Sequence, residues 1–490
     1  MAVAGALSLL LVAPHLSGTD LSAAAAHADF AAAHPLTPVD LRWYAGSQQF
    51  GYSLWSQYAM AALGVRTAGV LAALVSAAAF ALLLRRAQAR RELLGSLVGA
   101  ACIVLNLASG RITYAIGLAV GLLALLALPR RLPAAVLTLL AAAASPVAGL
   151  FLGLAGAALL LTGRRADGLA LALPAALALG VVGGLFGQGG YNAMSIGDTW
   201  TSVVLTVAAG LAVPHRAVRV GAVLLAFGLV AAYAVHTPVG LNAVRLPTMF
   251  AIPLVLAFAP WSALVVAPVV VALAVVRAPV QRYDVRQADW AVNTPAYFAP
   301  LTAELARRAP TGRVEAVPTV DYWEAVHVAE VAPLARGWLR QQDTLRNPLF
   351  FDGTLSAATY EAWLRDTGVQ YVALPGGPLA FVGRAEGALV RGGLPYLSQV
   401  WSGGDWVLYE VAGSPALADG ARVLRSTATQ IALRVDAPAD VLVRVQPSRW
   451  LTVTGPACLA PAGRWVRLRA DRPGDYVISS ALQLRPTAAC

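Results

Sequence analysis

Residues 113–131 read TYAIGLAVGLLALLALPRR, an uncharged, leucine- and alanine-rich run closed by Pro129 and the pair Arg130-Arg131. Uncharged runs approaching the roughly 20 residues of a bilayer crossing, punctuated by basic pairs, are the pattern of a polytopic membrane helix bundle. The pattern recurs. Apolar runs occupy about 2–17, 63–84, 92–109, 113–129, 132–145, 147–163, 168–187, 201–213, 220–236, 248–259 and 262–276. About eleven transmembrane helices are therefore expected across 1–277, joined by an outer loop over 18–62.

Composition agrees. The 490 residues are 58% hydrophobic and only 12% charged, with a mean hydropathy of +0.66. Such values exclude an ordinary soluble domain. All 36 basic residues are arginine. Residues 1–277 hold 15 arginines against 6 acids, and 278–490 hold 21 against 19. The net charge of +11 thus belongs mainly to the membrane half, and its natural partner is the lipid headgroup layer rather than nucleic acid.

The arginines also predict orientation. Arg85, Arg86, Arg90, Arg91, Arg130, Arg131, Arg164, Arg165, Arg216 and Arg219 fall in alternate loops, whereas the opposite loops carry Arg42, Arg111 and Arg245. The positive-inside rule then predicts a multi-pass protein of the cell membrane. Its N-terminus is cytoplasmic, and the 18–62 loop and everything after Arg277 are extracytoplasmic. Residues 1–17 are expected as a retained helix. The alternative is a signal peptide cut near Ala26-His27-Ala28, which the lack of a basic leader disfavours.

After Arg277 the apolar runs stop. A linker-like stretch, 278–297, precedes an α/β domain (278–415), with helices at 298–309 and 355–367, strands at 313–317 and 369–374, and a hairpin over 398–411 turning at Gly403-Gly404 or Gly404-Asp405. From 416 to 490 short alternating segments (428–435, 440–445, 449–454, 464–470, 475–480) predict a β-sandwich-like module. Cys458 and Cys490 both fall in this exported half, where a disulfide is expected. Cys102 lies within an apolar run and reads as an inert core thiol.

Only six acids occur in 1–277, and three of them, Asp20, Asp29 and Asp40, share the first loop. Carboxylates are costly near hydrocarbon, so this loop is the candidate site. Asp20, in Ser17-Gly18-Thr19-Asp20, reads either as a general base at the membrane surface or as an N-cap of the helix it precedes. Asp40 is the second candidate base, with a local pairing to Arg42 as its alternative. Asp29 reads as the solvated face of a surface helix, and Asp198 as a cap of the following helix. Arg42, Arg111 and Arg245 are candidate phosphate ligands, since guanidinium groups bind phosphate through charge-assisted, often bidentate bonds. Snorkelling to headgroups is their alternative. His27, Trp43 and Tyr44 complete the substrate-binding candidates, and Phe50, Tyr52 and Trp55 line the same loop. In the outer half, Asp321-Tyr322-Trp323-Glu324 and Asn347-Pro348-Leu349-Phe350-Phe351 set aromatics beside polar groups, as sugar sites and ordinary cores both do. No Cys/His metal spacing, P-loop or glycine-rich nucleotide motif is present, so neither metal nor cofactor is assigned.

An acid directly after the first helix, a long outer loop with short helices, roughly eleven spans and a C-terminal outer domain together resemble the GT-C superfamily of polytopic membrane glycosyltransferases. More narrowly, the chain resembles integral membrane proteins of actinobacteria. The segments Thr37-Pro38-Val39-Asp40-Leu41-Arg42-Trp43-Tyr44, Ser109-Gly110-Arg111, Asn242-Ala243-Val244-Arg245-Leu246 and Leu334-Ala335-Arg336-Gly337-Trp338-Leu339-Arg340-Gln341 carry that likeness. The resemblance implies inverting sugar transfer from a polyprenyl-phosphate donor to a cell-envelope glycan or glycolipid, with Asp20 as the base. The chain departs from the family in lacking a paired Asp-Asp or Asp-Glu in the loop, which speaks against a metal-dependent variant. Two other classes fit the composition: a transporter or lipid flippase, and a non-catalytic envelope-assembly protein with a glycan-binding outer domain.

Overall fold

The structure is a computed structural model and describes residues 5–8, 18–278, 291–483 and 489–490. The expected first helix at 2–17 and the linker at 278–297 fall largely outside the described residues. The chain divides into two compact units, one of 1–24 and 50–289, the other of 25–49 and 290–490.

The first unit is helical. Val65–Arg86, Arg165–Phe186, Arg216–Ala234 and Gly240–Phe258 are long and apolar enough to cross a bilayer, and Glu92–Ala108, Ile112–Ala127, Arg131–Ala144, Pro146–Leu161, Ile196–Ala212 and Ala263–Val276 are shorter apolar helices. Arg165–Phe186 illustrates their design. Leu171, Ala175, Ala178 and Val182 are buried, while Leu169, Leu173, Leu177, Val181 and Leu185 are exposed on another face. A helix apolar on both its packed and its open face belongs in lipid. The chain is a membrane protein.

Small residues let these helices approach closely. A Cβ on Gly156 would stand 2.8 Å from the Gly168 carbonyl oxygen, and one on Gly168 would stand 2.7 Å from the Gly156 oxygen. Contact of this kind replaces the hydrophobic drive that lipid does not supply. Basic connections are tied together: Arg91 donates to the Ala259 and Trp261 carbonyls at 2.9 and 2.6 Å, and His215 meets the Ala87 carbonyl at 3.2 Å. Elsewhere in the unit, Asp198 accepts from Arg277 at 2.8 Å. Ser195, not Asp198, is the cap of Ile196–Ala212. Its hydroxyl accepts the Asp198 N–H, so the acid sits in the first turn and its charge is turned to Arg277. Cys102 is a buried free thiol.

The second unit opens with residues 25–49, which leave the first-loop segment and join the C-terminal half. Leu334 N–H donates to Arg42 O at 2.7 Å, and Leu41 N–H to Ala428 O at 2.8 Å. A mixed four-stranded sheet runs in the order Arg313–Ala316, Val369–Pro375, Trp406–Val411, Leu397–Gly403. Its first pair is parallel and the others antiparallel. Ala357–Thr367 feeds it: Ser356 and Thr359 form a capping box, and Gly368 closes the helix at φ 68° before the strand begins. The hairpin turns at Gly404-Asp405.

Two four-stranded antiparallel sheets follow, one in the order Ala457–Ala462, Trp465–Ala470, Ala439–Val443, Ala418–Asp419, the other Leu451–Val453, Gly474–Ser480, Gln430–Val435, Arg422–Ser426. Period-two burial sends Ile431, Leu433, Val435, Val441, Val443, Leu468, Tyr476 and Ile478 inward. The strand Ala457–Ala462 lacked a sequence signal because it carries Pro461, which it tolerates as an edge strand. Cys458 and Cys490 form the expected disulfide.

Candidate functional site

The helix Leu21–Ala33 starts immediately after Asp20. Two glycines bring that start against the turn at Ser109-Gly110-Arg111. A Cβ on Gly18 would stand 2.1 Å from the Ala108 oxygen, and one on Gly110 would stand 2.3 Å from the Leu21 nitrogen. Gly110 also adopts φ 75°, in the left-handed region. With both side chains absent, Asp20 N–H donates to Ser109 O at 3.2 Å. Asn106, buried in Glu92–Ala108, donates to the Arg111 carbonyl at 3.3 Å.

This geometry delivers the Asp20 carboxylate to two cations. Arg111 Nε donates to Oδ2 at 3.2 Å, and Arg245 Nη2 lies 3.5 Å from the same oxygen. Arg245 opens the helix Arg245–Phe258 after the 3-10 turn Gly240–Val244, and its guanidinium lies 5.2 Å from the Tyr114 ring centroid. The side chains of Asp20 and Arg245 retain 12% and 13% exposure and that of Arg111 26%, so the trio is sheltered without being sealed. One carboxylate and two guanidinium groups carry a net single positive charge. Such a set offers guanidinium donors to an anionic oxygen beside a carboxylate.

Two tyrosines complete the cluster. Tyr52 ends the short helix Gln49–Tyr52. The next residues are anchored to the C-terminal turn of Arg131–Ala144: Leu54 N–H donates to Ala143 O at 2.8 Å, and Ser56 Oγ to Ala144 O at 2.9 Å. Burial pushes the Tyr52 phenol up to about 12, the Asp20 charge adds to the rise, and Arg245 and Arg111 oppose it. Tyr52 is therefore a protonated donor at neutral pH. Tyr114 is buried in Ile112–Ala127, and its hydroxyl has no hydrogen-bond partner among the described residues. The sequence offered Tyr52 only as one of several loop aromatics and offered no signal for Tyr114, which stands at the start of an apolar run.

The remaining candidates lie in the second unit. Arg42 grips Asp40 through Nε, Nη2 and its own backbone N–H, with Nη2 to Oδ2 at 2.8 Å. The same Nη2 donates to Ala26 O at 2.8 Å, and the guanidinium stacks 5.0 Å from the Phe30 ring centroid. Both side chains are buried. Asp40 thus closes a local ion pair, the alternative left open by the sequence, and the two acids favoured as bases belong to different units. Trp43 is fully enclosed and donates through Nε1 to Ala325 O at 3.0 Å. Tyr44 is buried, with its hydroxyl donating to Gly337 O at 2.6 Å. His27 packs edge-on against Trp43 at 5.5 Å, and burial lowers its pKa to about 4. These side chains anchor residues 25–49; none presents an open binding face. Asp29 is exposed, as expected of a solvated helix face.

Two further acidic clusters emerge. Arg336 is bracketed by Asp343 at 2.7 Å, Glu386 at 2.9 Å and Glu315 at 3.5 Å, all buried. Asp321 accepts from Asn293 at 2.6 Å, and Glu324 is held by Thr319, its pKa raised to about 8 by burial. Three His, Cys, Asp or Glu side chains placed to hold a metal ion are not found among the described residues.

The fold and the site define a polytopic helical membrane protein with a β-sheet C-terminal region and a carboxylate held between two arginines. No family model matches the chain, and no curated protein matches it. Among solved structures it is similar to the arabinofuranosyltransferase AftD from Mycobacteria, determined by single-particle cryo-EM, at a TM-score of 0.46 and 14% identity, over 98% of this chain and 57% of that one. The chain therefore spans little more than half the length of that protein. A similarity of this degree assigns no activity.

Proposed function

We propose that the chain is a membrane glycosyltransferase that moves a sugar from a polyprenyl-phosphate donor to a glycan or glycolipid of the cell envelope. The observation that carries this reading is the convergence of Asp20, Arg111 and Arg245, far apart in sequence, on one carboxylate oxygen. In the proposed reaction the acceptor hydroxyl loses its proton to Asp20 as its oxygen attacks the anomeric carbon. The bond from that carbon to the phosphate oxygen breaks, and the phosphate leaves with the bonding pair. Arg111 and Arg245 stabilise the charge that develops on it. Tyr52, protonated at neutral pH, supplies a neutral donor beside them. Inversion at the anomeric carbon follows from a single displacement.

The proposed topology places the N-terminus in the cytoplasm, about eleven helices in the membrane, and the 278–415 and sandwich-like 416–490 regions outside. The scarcity of acids in 1–277 supports a role for the one carboxylate that two outward arginines share.

The test is product formation by membranes containing the full chain, supplied with a polyprenyl-phosphate sugar and envelope acceptor. Asp20→Asn is expected to lower the rate by about 10²–10⁴-fold, at unchanged protein level. Product from Asp20→Asn membranes equal to that of the parent would overturn the reading. Movement of lipid or sugar across vesicles without a covalent product would overturn it in favour of transport.

A further inference from the structure

Four arginines gather in the second unit around the start of the mixed sheet. Arg313, Arg346 and Arg464, with Thr367 and Trp465, line a small cleft that opens to solvent. Arg313 is buried and uses its two Nη groups on the Thr367 and Arg444 carbonyls. Its Nε has no hydrogen-bond partner among the described residues. Arg346 donates to the Tyr44 and Gly46 carbonyls at 2.8 and 2.9 Å. Arg464 lies 4.6 Å from the Trp465 ring centroid.

The charge balance is incomplete. Asp366 meets Arg464 at 3.2 Å and Asp419 meets Arg444 at 2.8 Å. Neither Arg313 nor Arg346 has a carboxylate partner among the described residues; their hydrogen bonds run to backbone carbonyl oxygens. Burial lowers the pKa of Arg313 to about 9, with Arg444 and Arg464 adding to the fall. Burial lowers Arg346 to about 10, and Arg464 pushes the same way. Buried cations left without counter-charge are costly, and an anion drawn from solution removes that cost.

We infer that this cleft binds a small oxyanion, held by the guanidinium groups of Arg313, Arg346 and Arg464 that line it. Planar guanidinium forks suit oxyanions better than a spherical halide. The inference does not depend on the transferase reading, since none of these residues belongs to the Asp20 cluster.

The test uses the full chain in detergent, with thermal unfolding followed as sulfate replaces chloride at constant ionic strength. A bound ion stabilises by mass action and saturates, whereas general salting-out rises without saturation. The expected result is a saturating rise in Tm whose midpoint moves to roughly tenfold or more higher sulfate in Arg346→Gln and Arg464→Gln. Arg313→Gln is less suited, because Arg313 is the more deeply buried of the three and its loss threatens the fold. Melting in sulfate-free buffer verifies that the two chosen variants remain folded, and Arg425→Gln serves as a control. A rise without saturation, or one equally saturable in both variants, overturns the inference. Binding to phosphatidic-acid vesicles with no response to sulfate also overturns it, by assigning the arginines to a lipid headgroup.

Discussion

Arg111 donates to the Asp20 carboxylate at 3.2 Å across a turn whose glycine leaves no room for a side chain. The contact depends on backbone packing as much as on charge: Gly110 stands against the Leu21 nitrogen, so Arg111 and Asp20 are set in place together.

Gly110→Ala is therefore expected to disturb the cluster more than an alanine at another positive-φ glycine. At Gly163, φ is 88° and a Cβ meets nothing within 4 Å, so alanine costs only the left-handed strain, about 1–2 kcal/mol. At Gly110 the same strain is joined by a clash with backbone. Thermal unfolding in detergent should show a distinctly larger fall for Gly110→Ala than for Gly163→Ala. Equal shifts would mean that the turn relaxes without loss.

Asp20→Asn and Asp40→Asn should separate function from stability. Asp40 neutralises a buried arginine, and removing one member of a buried pair costs about 3–5 kcal/mol. Asp20 is partly exposed and shared by two cations that water can still reach. Asp40→Asn is expected to lower Tm strongly, whereas Asp20→Asn should leave Tm near the parent value and remove product formation. Reversed outcomes would exchange the roles assigned to the two acids.

His27 sets an acid limit. Its folded pKa of about 4 lies below the ordinary 6.5. The unfolded chain therefore binds the proton first as pH falls. The stability linked to the neutral ring is fully present above pH 6.5 and is lost between pH 6.5 and 4, by at most about 3–4 kcal/mol. Denaturation followed across that window should be steeper for the parent than for His27→Gln. Parallel pH profiles would remove His27 as the cause.

The disulfide joins residues 32 apart. Loop-closure entropy for that length is worth about 3–4 kcal/mol. Reduction, or Cys458→Ser with Cys490→Ser, should lower the unfolding midpoint of the β-sheet region. An unchanged midpoint would show that the closed loop is already restrained by the Cys490 N–H to Leu459 O bond and its neighbours.

Much of the architecture was legible in the residue pattern. Uncharged runs closed by arginine pairs marked the helices, and period-two alternation marked strands such as Gln430–Val435 and Trp465–Ala470. Gly368 and Gly404-Asp405 marked a helix end and a hairpin turn. Local chemistry alone sufficed for these, since caps, turns and one-face burial depend on neighbours within a few residues. Pro461 concealed an edge strand, and Asp198 read as a cap because the pattern does not tell whether Ser195 or Asp198 turns toward the backbone.

The sequence by itself determined a membrane chain with few acids, an arginine bias between alternate loops and two cysteines placed to pair. Only the tertiary structure decided which acid meets which arginine. Asp40 lies two residues from its partner and was open to a local reading, whereas Asp20 meets Arg111 and Arg245 only because helix packing brings three distant connections together. Packing of that kind depends on glycine contacts and long-range fit, and it leaves no trace in the spacing of charges along the chain.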